Sequence, residues 1–137
     1  MIQENIPLSI AIIVIISFSI TGILKIIIRH FQGEKVRISN AFSTGGMPSS
    51  HTTIVSSLTT SIFLYEGFSN LFVALIFISL IIMSDAMGVR METGLQAKAL
   101  NKLLKTKEFN EKSGHKPTEV LGGLFVGILT ALLLFLV

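Results

Sequence analysis

Two short stretches hold most of the residues able to do chemistry. "GGMPSSH" at 45–51 sets two glycines, a proline, two serines and a histidine directly before an apolar run. "SGHKPTEVLGG" at 113–123 uses similar residues, with Glu119 four positions after His115. In the first stretch, Gly45 and Gly46 let the backbone approach a ligand closely and adopt positive φ at no steric cost. Pro48 suits the first residue of a helix. Ser49 and Ser50 can cap free backbone N–H groups or offer hydroxyls to an anion, and a helix N-terminus attracts anions through those groups and its dipole. These are the parts of a phosphate cradle with His51 about one turn into the helix, and equally of a plain capped helix start. In the second stretch, a helix already under way at His115 would put that ring and Glu119 on one face. A carboxylate on an imidazole fixes its tautomer and raises its basicity, which suits a nucleophile or base. The plainer reading is a carboxylate that complements the helix dipole.

The elements that must position these residues are membrane helices. Half of the 137 residues are hydrophobic and 14% are charged, against about 25% charged in an ordinary soluble domain; mean hydropathy is +0.75. With no cysteine, disulfides and thiolate metal sites are excluded. A formal charge of +3 is too small to argue for nucleic acid. Four apolar windows approach the roughly 20 residues of a membrane span. The chain therefore reads as a single all-α integral membrane domain, 1–137, with about four transmembrane helices over 6–28, 48–65, 67–86 and 118–137. The connections 29–47 and 87–117 lie on one side. The second window is rich in Ser and Thr, which favours packing against other helices over facing lipid.

Charge sets the orientation. Lys25, Arg29, Lys35 and Arg37 lie at or beyond the end of the first span, and Arg90, Lys98, Lys102, Lys105, Lys107, Lys112 and Lys116 lie around the second connection; these are all eleven basic residues. The positive-inside rule puts both connections in the cytoplasm and both termini outside. The expected location is a bacterial inner (plasma) membrane. The stretch 91–114 carries Leu95, Ala99, Leu100, Leu103 and Leu104 at helical spacing among lysines. It reads as a short cytoplasmic amphipathic helix, lying on the membrane surface or packed on the bundle. Asp85, at the end of the third span, has three readings: it pairs with a cation such as Arg90 or Lys25, holds a divalent metal, or acts as an acid or base. Pairing is favoured, so no metal or cofactor is expected. His30 reads as a polar cap. Gly123 and Gly127 form a G-x-x-x-G pair beside Gly122, a close-packing pattern compatible with a homodimer.

The motifs also carry a family resemblance. "MPSSH" at 47–51 resembles the P-S-G-H motif of the type 2 phosphatidic acid phosphatase superfamily, which includes vanadium haloperoxidases. "HKPTEVLGG" at 115–123 resembles the end of its third motif. The chain is most similar to the divergent, small membrane branch, on "GGMPSSH" at 45–51, "DAMGVR" at 85–90 and "GHKPTEVLGG" at 114–123. The resemblance implies that His115 attacks phosphorus, that Glu119 orients it, and that His51 protonates the leaving group and later activates water. It implies that Ser50 and the backbone near Gly46 bind phosphate oxygens. The chain departs from the superfamily in several places. Phe109 stands where the third motif has arginine, so the motif reads as split, with Arg90 supplying the cation and 91–113 inserted. The first motif is missing in its usual form; Lys25, Arg29, Lys35 and Arg37 are available in its place, with Lys25 and Arg37 favoured. Serine replaces a glycine, and glutamate an aspartate.

Physics supports the transfer, because a phosphoryl group needs its oxygens neutralised and its nucleophile in line. The expected activity is a membrane phosphatase acting on a lipid phosphate or diphosphate through a phosphohistidine at the cytoplasmic face. His115, His51 and Glu119 would be catalytic, and Lys25, Arg37, Gly45, Gly46, Ser49, Ser50, Arg90 and Asp85 would line the substrate. A non-catalytic lipid-phosphate binder or transporter is the alternative.

Overall fold

The computed structural model describes residues 5–34, 45–111 and 113–136. Five helices follow one another: α1 (Ile6–Phe31), α2 (Ser50–Glu66), α3 (Asn70–Met87), α4 (Val89–Leu104) and α5 (Pro117–Phe135). No strand occurs among the described residues. The helices start where local chemistry dictates. Asn5, Ser49 and Ser69 each accept, through a side-chain oxygen, a backbone N–H three residues on, which satisfies a donor that the first helical turn leaves free. α2 therefore begins at Ser50, not at Pro48: Ser49 takes the cap position and leaves the proline outside the helix. Gly67, at φ 69°, ends α2, and Ser69 opens α3, three residues later than the expected boundary.

The chain is an all-α membrane protein. Three stretches are long and apolar enough to cross a bilayer: α1, the stretch 70–104 through α3, and α5. α2, at 17 residues, is shorter and less apolar, and it sits in the middle of the bundle against α1, α3 and α5. Its serines and threonines explain that position. Thr52, Thr53, Ser57 and Ser61 are fully buried, and Ser57 and Ser61 return their hydroxyls to carbonyls of their own helix. Small side chains with satisfied hydroxyls let neighbouring backbones close in, which is how helices associate without a hydrophobic driving force. Thr53 Oγ1 accepts from Thr21 Oγ1 of α1 at 3.0 Å and lies 3.1 Å from the Gly123 carbonyl of α5, so one hydroxyl joins three helices.

The G-x-x-x-G pair is used within the chain. A Cβ on Gly123 would collide with the Ser49 carbonyl oxygen and lie 3.1 Å from Thr52 Cβ. One on Gly127 would collide with Ser56 Oγ and lie 2.6 Å from the Thr53 carbonyl oxygen. Both glycines are buried against α2, and neither offers a face to a homodimer. The close packing at these glycines is intramolecular.

Contacts fix the polarity of the bundle. Ser49 N donates to the Glu119 carbonyl at 2.9 Å, His115 N to the Ala86 carbonyl at 2.9 Å, and Arg29 Nη2 to the Gly45 carbonyl at 3.2 Å. The end of α1, the starts of α2 and α5 and the end of α3 therefore share one end. At the other end the rings of Tyr65 and Phe135 lie 5.1 Å apart. α2 and α5 run parallel, with α1 and α3 antiparallel to them.

Candidate functional site

The shared end gathers the chemistry-bearing residues. α5 begins at Pro117 with Lys116 as its cap, so His115 precedes the helix instead of riding on its face. The pairing with Glu119 forms nonetheless, for a different reason from helical spacing. Glu119 sits in the first turn, where its carboxylate reaches back. Its Oε2 accepts from Lys116 N at 3.1 Å and from His115 Nδ1 at 3.0 Å. A carboxylate only accepts, so Nδ1 carries the proton and, in the neutral ring, Nε2 keeps its lone pair. The His115 ring is 3% exposed. Burial pushes its pKa below the ordinary histidine value; the hydrogen bond and charge of Glu119 oppose the shift, while Lys25 and Arg90 add to it. A depressed pKa keeps the ring neutral at neutral pH, as a nucleophile requires.

The start of α2 divides its two serines. Ser49 is fully buried, and its Oγ is occupied by Thr52 N and Thr52 Oγ1, the latter at 3.0 Å. It is a cap, and both of these bonds use its oxygen as the acceptor. Ser50, one residue on, is also buried, yet its Oγ has no hydrogen-bond partner. A buried hydroxyl without a partner carries a desolvation cost that an incoming acceptor would relieve. His51 follows it in the first turn with its ring exposed. The charges of Arg90, His115, Lys25 and Asp85 all reach that ring.

The remaining expected residues fall as follows. Lys25 is 1% exposed on α1 and within electrostatic reach of Glu119 and both histidines. Arg90 Nε bonds Asp85 Oδ2 at 2.6 Å across Gly88, the single residue between α3 and α4, with both side chains partly exposed. That ion pair is the cation-pairing reading of Asp85, and among the described residues no His, Asp or Glu cluster could hold a metal. Gly45 is buried and gives its carbonyl to Arg29. Gly46 has φ 92°, and a Cβ there would lie 3.2 Å from Arg29 Nη2. Arg37 lies outside the described residues. His30 is exposed in the last turn of α1.

Sequence reasoning set Arg29 aside in favour of Lys25 and Arg37. The structure gives Arg29 a central place: it lines a cavity of about 430 Å³ with Gly46, Met91, Leu95, Lys116, His115 and Glu119. The cavity meets the His115–Glu119 pair but not His51. Position in the first basic connection was the only signal for Arg29, and three other cations shared it. Asn101 was also passed over. Asn101 is 5% exposed and ties α4 to the returning chain through Phe109 N, the Phe109 carbonyl and Glu111.

The fold defines an α-helical membrane protein with its polar and basic residues gathered at one end of the bundle. A family model described as the Divergent PAP2 family matches residues 4–130, and the chain belongs to that family. The chain is also similar to an uncharacterized membrane protein of Bacillus subtilis (strain 168), YuiD, at 36% identity over 133 residues, covering 82% of this chain and 84% of that one. No solved structure matches it.

Proposed function

We propose that this protein is a membrane phosphatase that hydrolyses a lipid phosphate or diphosphate through a phosphohistidine on His115. The observation that carries this is the unpartnered, buried hydroxyl of Ser50 at the start of α2. It lies next to His51, a ring within electrostatic reach of the His115–Glu119 pair. In the first step Nε2 of His115 attacks phosphorus, the bond to the leaving oxygen breaks, and protonated His51 gives that oxygen its proton. Glu119 holds Nδ1–H and stabilises the positive charge that builds on the ring. In the second step neutral His51 takes a proton from water, the water oxygen attacks phosphorus, and the P–N bond breaks to return its electron pair to Nε2. Lys25, Arg90, Ser50 Oγ and the free N–H groups of α2 neutralise the phosphoryl oxygens. Arg90 acts from beside Asp85, which aims its guanidinium. No step requires a metal.

The concentration of basic residues around this end supports a cytoplasmic site, with both termini outside, in a plasma membrane. One observation favours a second reading, a lipid-phosphate binder without turnover: the near-complete burial of the His115 ring. Purified protein in detergent, assayed with phosphatidate, phosphatidylglycerophosphate and a polyprenyl diphosphate, separates the two. The phosphatase reading expects phosphate release from at least one substrate, inhibited by vanadate and abolished by His115→Ala. Vanadate binding without release from any of them supports the binder. Neither release nor binding overturns both.

A further inference from the structure

α4 carries three stripes, and the bundle accounts for only one. Residues three and four apart share a helix face. Gly94, Ala97 and Asn101 form the buried stripe, with Gly94 and Asn101 against Phe109, Glu111 and Ser113 of the returning chain. Lys98 and Lys102 form a second, on the side where Met91 and Leu95 meet the cavity, and Lys105 follows at the C-cap; all three lysines are exposed. Val89, Leu100 and Leu103 form the third, spaced with Thr93 and Gln96, and they are 68%, 43% and 78% exposed. Leu104, 62% exposed, borders it. Of the other helices, α4 touches only α3.

An exposed apolar stripe opposite a basic one, on a helix with so little bundle contact, needs a partner. Chain continuity identifies it. α3 is part of a stretch apolar enough to cross a bilayer, and one residue, Gly88, separates its last residue from the first of α4. The start of α4 is therefore held at the membrane boundary. The far end is tied back as well: Asn101 binds the returning chain, and His115 N bonds the Ala86 carbonyl near the end of α3.

We infer that α4 lies in the interface of the bilayer that the chain spans, with its apolar stripe among the acyl chains and its lysines attracting anionic headgroups. Basic residues close to a charged leaflet are each worth about fivefold in affinity. Because Met91, Gly94 and Leu95 of this helix line the cavity, seating it in the interface brings the cavity to the depth of lipid phosphates. The inference concerns where a helix sits and stands apart from the proposed catalysis.

The chain contains no cysteine, so single-cysteine labelling of the full-length protein is clean. Nitroxides at Leu100→Cys, Leu103→Cys, Lys98→Cys and Lys102→Cys, in nanodiscs of phosphatidylcholine with or without phosphatidylglycerol, report depth through collision with oxygen or a water-soluble nickel chelate. The two leucine sites should favour oxygen and the two lysine sites the chelate. Phosphatidylglycerol should deepen the leucine labels, and Lys98→Gln/Lys102→Gln/Lys105→Gln should remove that deepening. Equal chelate access at all four sites overturns the inference, leaving a helix in water. Spin–spin broadening at the leucine sites overturns it in favour of a second copy of the chain. Deepening that survives the triple replacement overturns the role of the lysines.

Discussion

The starts of α2 and α5 are built from similar residues and use them in opposite ways. Each holds a serine, a glycine, a proline and a histidine at the edge of a long helix, and the two starts touch through Ser49 N and the Glu119 carbonyl. At α2 the cap is a serine and the histidine falls inside the helix, with its ring exposed. At α5 the cap is Lys116, the histidine falls outside, and its ring is buried and gripped by a carboxylate. Three residues of register relative to the cap separate an exposed ring from a buried ring held by a carboxylate. The proposed mechanism uses the paired ring as the nucleophile and the exposed ring as the acid and base.

The largest test of this contrast is to remove each ring. His115→Ala should lower turnover by at least ~10³-fold, because no other group stands in its place. His51→Ala should cost roughly 10²–10⁴-fold, the usual range for losing a general acid–base, and should cost least on substrates with good leaving groups. Equal losses for both on every substrate would break the division of roles.

Next in size is the packing between the two helices that these starts open. Gly127→Val forces branched carbons into Ser56 and the Thr53 carbonyl, and overpacking of this kind costs about 1–3 kcal/mol. A thermal melt in detergent should show it, with loss of activity following loss of fold. An unchanged melt would mean that α2 and α5 are not so closely packed.

How much of this was legible in the sequence depends on what each residue answers to. The apolar windows and the Ser/Thr-rich second helix were readable because bilayer thickness and close helix packing act on composition alone. The His115–Glu119 pairing was readable as a spacing, although its cause was not, since a cap one residue later changes the geometry without changing the letters. Ser49 and Ser50 look identical in sequence; only the position of the cap assigns one to structure and leaves the other unpartnered. Arg29 was hidden among neighbouring cations because selecting it needs the carbonyl of Gly45, sixteen residues away. The glycine pair pointed to close packing and was silent on whether the partner helix belonged to the same chain.

The two serines allow a finer test. Ser49→Ala removes a cap and should cost about 1 kcal/mol of stability. Ser50→Ala removes a hydroxyl with no partner and should leave stability unchanged while raising KM. The reverse pattern would exchange their roles. The smallest effect concerns pH. Burial depresses the His115 pKa and Glu119 opposes that shift, so kcat/KM should fall with acidity only below the ordinary histidine range. Glu119→Gln should move this acid limb to still lower pH; a move towards neutral pH would contradict the pairing.

The most direct test is to trap the intermediate. Protein carrying His51→Ala, mixed with a ³²P-labelled lipid phosphate that has a good leaving group and on which the wild type is active, should still be attacked but dephosphorylate slowly, so acid-labile, base-stable label should accumulate on the peptide containing His115. Label on another residue, or none in a protein that still turns over, would contradict the account.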